Sequence, residues 1–191
     1  MDVRDFRASG NLPGQSRSIR ITNVTGGVDR GVHDSAQQDP SWRVIFSMVA
    51  AKARLGEHVK WTRIEVGTDT KTQLVDITAI VSDETAKTGV KNGTCFVYMP
   101  HTTAGLTINE NADPEVARDI LTGLARLVPV NGDYRHAEGN SDAHIKASLV
   151  GSSLMVPIID GRLALGTWQA LYFCEFDGPR HRHLLIGTAG E

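Results

Sequence analysis

Strands toward both ends of the chain, with helical segments between them, predict an α+β domain built on a mostly antiparallel sheet. Three observations carry that expectation: alternating apolar runs beginning after Glu57, an amphipathic helix announced by Asp113-Pro114, and a β-rich C-terminal stretch punctuated by Asp-Gly turns. The length of 191 residues, with 40% hydrophobic and 22% charged side chains, suits one well-buried domain with a tail.

The elements follow in order. Residues 1–57 read as an N-terminal extension, largely flexible, because the first forty are rich in Gly, Ser, Asn, Asp and Gln and sustain no period of 2 or 3.6. Within it, Ser41 to Gly56 is more apolar, and Trp42, Ile45, Phe46 and Val49 share one face of a short helix. The domain proper spans 58–191. VKWTRIEVGT and KTQLVDIT predict two strands or a hairpin; Thr78 then caps a short helix that Gly89 closes. TCFVYMPH is apolar on both faces, which predicts a central strand.

Asp113 as cap and Pro114 at the first helical position open a helix that places Val116, Ile120, Leu121, Leu124 and Leu127 at helical spacing, and Pro129 ends it. A second helix begins near Asn140 or Ser141 and runs to Gly151. SLMVPII and RLALG flank a two-residue hairpin turn at Asp160-Gly161, and WQALYFCEF and HRHLLIGT flank a turn at Asp177-Gly178-Pro179.

Several function classes recede on composition. A net charge of −2 and the lack of a basic block interleaved with aromatics argue against nucleic acid as partner. Cys95 and Cys174 sit in apolar runs as buried free thiols of a cytoplasmic protein, and no run is long enough to cross a membrane.

Chemistry concentrates between His101 and His144. His101 ends the central strand, where side chains meet the rim of a sheet, and Thr102 and Thr103 follow it. Asn109 and Glu110 stand in a TxNEN run that strand propensity does not explain. Farther on, Arg135, His136, Glu138, Asn140, Ser141 and His144 surround a helix start whose backbone N–H groups attract anions. His136 and Glu138 share a face if extended, and Lys146 lies one turn along the helix. Histidines with a carboxylate suit a divalent ion such as zinc or magnesium, proton transfer, or a phosphate site, although this spacing lacks the specificity of HExxH. The ordinary alternative is that these groups bond loop and helix backbone.

PHTTAGLTINENADPEV, LVPVNGDYRHAEGNSDAHIKASLVG and LGTWQALYFCEFDGPR, in that order, closely resemble the YjbQ family, also called the secondary thiamine-phosphate synthase family. The resemblance spans about residues 58 to 191. It implies a compact α+β domain forming homotrimers, with pockets at or near subunit contacts. It also implies a transferase that joins a pyrimidine diphosphate to a thiazole phosphate and releases diphosphate. The family's polar motif falls on His101, Thr102, Thr103, Asn109, Glu110, His136, Glu138, Asn140 and His144. The expected catalytic set is His101, Glu110, His136, Glu138 and His144, with a divalent metal on His101, His136 and His144. Thr102, Thr103, Asn109, Arg135, Asn140, Ser141 and Lys146 would bind a small phosphorylated metabolite. Two rivals use the same residues: a metal-dependent hydrolase of a phosphorylated metabolite, and a non-catalytic small-anion-binding module.

Overall fold

The computed structural model describes residues 59–191 and one short strand, Ile19–Thr22. The helix expected over 41–56 and the flexible character expected of most of 1–57 lie outside the described residues. In chain order the elements are β1 (Ile19–Thr22), β2 (Lys60–Gly67), β3 (Gln73–Asp76), α1 (Thr78–Lys87), β4 (Gly93–Tyr98) and β5 (Ala104–Glu110). They continue with α2 (Pro114–Leu127), α3 (Ser141–Val150), β6 (Ser153–Ile159), β7 (Arg162–Leu163), β8 (Gln169–Glu175) and β9 (His181–Gly190).

The strands form two sheets, ordered β1-β2-β9-β4-β6-β7 and β3-β8-β5, and every pairing is antiparallel. The antiparallel α+β expectation holds, divided between two sheets. Alternation explains the packing. In β2 the inward residues are Ile64 and Val66, while Trp61, of the opposite parity, points outward. Ile64 and Val66 join Cys95 and Val97 of β4, Leu184 and Ile186 of β9, and Leu171 and Phe173 of β8 in the core between the sheets. Burying each such side chain stabilises by about 1.5–3 kcal/mol.

β8 is buried on both faces. Its other side presents Ala170, Tyr172 and Cys174 to α2 and α3, against which Ile120, Leu121, Leu124 and Ala147 pack. The molecule is therefore layered as large sheet, small sheet and helices, and α3 lies on the small sheet beside β5. Gly105 permits that approach. A Cβ there would come within 2.9 Å of Val150 and 3.0 Å of the Gly151 carbonyl, which accepts the Leu106 N–H at 2.9 Å.

Three local readings change in the folded chain. β2 and β3 are not a hairpin: β3 pairs with β8 in the second sheet, because Leu74 and Val75 are both buried and need cover on two faces. Thr78 is the first residue of α1 and not its cap. Its N–H donates to Asp76 Oδ1 at 2.8 Å, while its hydroxyl accepts the Leu171 N–H at 2.9 Å. TxNEN as far as Glu110 belongs to strand β5, whose pairing with β8 extends to Glu110↔Gln169, so strand structure does account for Asn109 and Glu110. By contrast, Asp113 caps α2 by accepting the Glu115 N–H, and Asp160-Gly161 turns with φ of 52° and 77°, both as expected.

The 177–179 turn carries the chain from one sheet to the other, and a buried ion pair braces the crossing. Glu175, fully buried at the end of β8, accepts from Arg182 Nε at 2.8 Å and Nη2 at 2.6 Å. It also accepts the Thr68 hydroxyl at 3.1 Å and the backbone N–H groups of Phe176 and Asp177 at 3.1 and 2.9 Å. Arg182, 7% exposed, reaches on to Thr103 Oγ1 at 2.8 Å. Arg182→Leu would leave the carboxylate buried without its cation. Urea unfolding should show a loss of about 3–5 kcal/mol, and a loss within about 0.5 kcal/mol would mean that the pair does not hold the sheets together.

Candidate functional site

His101 leaves β4 beside the first residues of β9. Its Nε2 accepts the His183 N–H at 3.0 Å, and the two rings meet edge to face with centroids 4.7 Å apart. That bond assigns the tautomer: Nε2 contributes its lone pair, so Nδ1 carries the proton. Burial lowers the pKa of His101, as do the nearby charges of Arg182 and His183, which outweigh the His183 hydrogen bond and Glu175. His183 is likewise lowered, by burial first and by Arg63 second.

α3 supplies the second half. His144 stands one turn inside the helix, its ring edge to face with His136 at a centroid separation of 5.4 Å. Asn140 makes no side-chain cap bond; it donates instead to Asp177 Oδ2 at 3.0 Å, which leaves the start of α3 without a side-chain acceptor. Burial pulls the Asp177 pKa upward. The hydrogen bonds from Asn140 and Arg180, with the Arg180 charge, outweigh it and hold this carboxyl below its ordinary value.

Two cavities open here and share His144. One, of about 540 Å³, is bordered by Arg135, His136, Ser141, His144 and the apolar flanks of Tyr134 and Ile145. The other, of about 360 Å³, lies among His101, Thr102, His144, Ser148 and Ser152. A wide pocket with one apolar side beside a smaller polar one suits a ring-bearing ligand next to an anionic group.

The expected site residues divide accordingly. His101, Thr102, Arg135, His136, Ser141 and His144 gather at these cavities. Thr103 is 6% exposed and engaged by Arg182, so it braces the loop that holds His101. Glu138 is on the exposed loop, 3.8 Å from His136, and Asn140 is tied to Asp177. Asn109 and Glu110 stand at the far end of β5. Six residues of strand, about 20 Å, separate Glu110 from Ala104 beside His101. There Tyr172 donates to the Glu110 carbonyl, and Asn111 donates to Asp76.

Lys146 is a correction. It is 2% exposed and donates to the fully buried Asp142 at 2.7 Å, so it cannot reach a solvent-borne anion. Lys146→Met would strand the Asp142 carboxylate, whose Oδ1 already finds no donor among the described residues. Denaturant unfolding should register a loss of about 3 kcal/mol or more, with Asp142→Asn restoring part of it in the double variant.

The donor set does not fit a metal within one chain. Among the described residues, no three His, Cys, Asp or Glu side chains are arranged to hold an ion. In addition, Nε2 of His101 is committed to the His183 N–H and Nδ1 bears the proton, so this ring has no free lone pair to offer. The thiols add no nucleophile: burial raises the pKa of Cys95 and pushes that of Cys174 up to about 12.

Sequence reasoning missed Glu175, Arg182 and His183. Arg182 shares parity with the inward Leu184 and Ile186, and Glu175 with Leu171 and Phe173. A charge at an inward position of an alternating strand signals a buried partner.

The low pKa values of His101 and His183 give a pH dependence of definite sign. An unfolded chain binds these protons near pH 6.5, whereas the folded one resists until lower pH, so their contribution is complete above pH 6.5 and is lost as pH falls through the folded values. Unfolding free energy should decline on acidification below about 6.5, and His101→Gln should flatten part of that decline. A His101→Gln profile identical to the parent's would remove His101 from this role.

Comparison with known proteins agrees with the fold. Residues 62–191 match the family described as "UPF0047 protein YjbQ-like". The UPF0047 protein MJ1081 of Methanocaldococcus jannaschii is 49% identical over 129 residues, 68% of this chain and 94% of that protein. The UPF0047 protein YugU of Bacillus subtilis is 47% identical over 128 residues, 66% of this chain and 97% of its own. Among solved structures, a YjbQ/UPF0047-family protein from Clostridium acetobutylicum superposes with a TM-score of 0.65 at 52% identity, covering 66% of this chain and 98% of that one. A YbjQ-like protein from Sulfolobus solfataricus gives 0.68 at 34% identity, covering 70% and 98%.

Proposed function

This chain belongs to the YjbQ-like UPF0047 family, and we propose that it is a transferase that joins a pyrimidine diphosphate to a thiazole phosphate, releasing diphosphate and forming thiamine phosphate. The observation that carries the reading is the pair of adjoining cavities with His144 between them. Two substrates must meet in this reaction, and a shared wall bearing an acid/base group is a suitable meeting point.

The thiazole nitrogen donates its lone pair to the pyrimidine methylene carbon as the bond from that carbon to the diphosphate oxygen breaks. The electron pair leaves with diphosphate, and the product ring becomes a thiazolium cation. Catalysis then consists of alignment and of stabilising the departing anion. The start of α3, with Ser141 and Arg135 beside it, offers N–H groups and a guanidinium for phosphate oxygens. The Nδ1–H of His101 and the Thr102 hydroxyl donate in the smaller cavity. His144, backed by His136, protonates the leaving diphosphate. No step is assigned to a metal ion.

The proposed assembly is a homotrimer. Ile145 at the larger cavity and Leu149 one turn beyond it are 39% and 58% exposed, an apolar pair on α3 that supports a subunit contact beside the pocket.

Incubating the protein with both substrates should yield thiamine phosphate and diphosphate in equal amounts. His144→Ala should reduce turnover by about 100-fold or more while native mass remains that of the parent. Undiminished turnover in that variant would remove His144 from the chemistry. Inorganic phosphate released without the thiazole would identify a hydrolase instead.

A further inference from the structure

The outer face of the large sheet carries an apolar band, uncovered among the described residues and bordered by Arg63, Glu65 and His183. The strand registers align Trp61, Gly187, Phe96 and Met155 in one row across β2, β9, β4 and β6, with Leu185 and Tyr98 in the next. Trp61, Tyr98 and Met155 are 44%, 43% and 69% exposed, and a groove of about 460 Å³ runs among them. A contiguous apolar patch of this kind implies an occupant.

We infer that residues 42–49 of the same chain occupy this groove, seating Trp42, Ile45, Phe46 and Val49 against Trp61, Phe96, Tyr98 and Met155. Three facts select this occupant. The first is where the connection begins and ends: Thr22 of β1 pairs with Arg63 and β2 starts at Lys60, so residues 23–59 leave and rejoin the sheet at the Trp61 end. The second is the side on which the chain rejoins β2. A Cβ on Gly187 would lie 2.7 Å from Val59 Cγ1 and 2.9 Å from the Trp61 ring, so the Val59 side chain, next to the 23–58 connection, already lies on the outer face. The third is the pattern: positions 42, 45, 46 and 49 are spaced i, i+3, i+4 and i+7, so a helix there would set four large apolar side chains on one face.

Reach is no obstacle. The row from β2 to β6 crosses three inter-strand gaps, about 14 Å, whereas the ten residues between Val49 and Lys60 span up to about 33 Å when extended. The assignment is independent of the chemistry proposed for the His144 cavities, since His144 and the other residues given roles there do not line this groove.

Hydrogen exchange on the full-length protein tests it, with Met155→Asp as the variant. Met155 is already exposed among the described residues, so a charge there leaves the core intact while opposing an apolar occupant. Amides of 42–49 should exchange at least about tenfold slower than an unstructured chain in the parent and lose that protection in Met155→Asp, with β4 and β9 amides unchanged. Unprotected exchange of 42–49 in the parent would overturn the inference. If Met155→Asp then also lowered the native mass, the face would belong to a second copy. Protection of 42–49 that survives Met155→Asp would likewise overturn it, because the segment would be ordered elsewhere.

Discussion

The Glu175–Arg182 pair is the constraint on which the arrangement rests. β8 and β9 are consecutive, but they belong to different sheets, and the chain crosses between them in a short turn. A carboxylate buried at that corner is costly unless both oxygens are occupied. They are occupied from four places: the guanidinium on β9, the Thr68 hydroxyl just after β2, and the N–H groups of Phe176 and Asp177 in the turn. The desolvation cost is met only when both sheets and the turn are in register. The pair thereby favours one geometry over many.

That geometry delivers the site. Arg182 extends from Glu175 to Thr103 and steadies the loop bearing His101 and Thr102, while the adjacent His183 N–H holds the His101 ring by its Nε2. From the other side, α3 rests on β5 through the close approach at Gly105, and its His144 faces the same space. Two histidines 43 positions apart in sequence therefore line one cavity because a buried ion pair fixes one and helix packing fixes the other. Asn140, by donating to Asp177, ties the start of α3 to the same turn.

Polar side chains in the motifs serve two different ends. Thr103, Asp142 and Lys146 are buried and mutually or otherwise paired, so they specify structure. Thr102, Arg135, His136, Ser141 and His144 face open volume and are available to a ligand. A motif read as one string of functional residues mixes the two kinds, because residue type alone does not record which way a side chain faces.

Local rules determined much of this protein from sequence alone. Asp113-Pro114 opens a helix because a capping carboxylate and a fixed proline φ act over a few residues, and Asp160-Gly161 turns a hairpin because its φ values are positive. The motif strings sufficed for the family. The tertiary structure alone decided what depends on pairing between distant segments. It divided the strands into two sheets, sent β3 to β8, withdrew Lys146 into the interior, and carried Asn109 and Glu110 to the opposite end of β5 from His101. It also gave Arg182 its role. The alternation of β9 marks that position as inward, but only the fold puts Glu175 there to receive it, since a buried charge takes its meaning from a partner that local sequence does not specify.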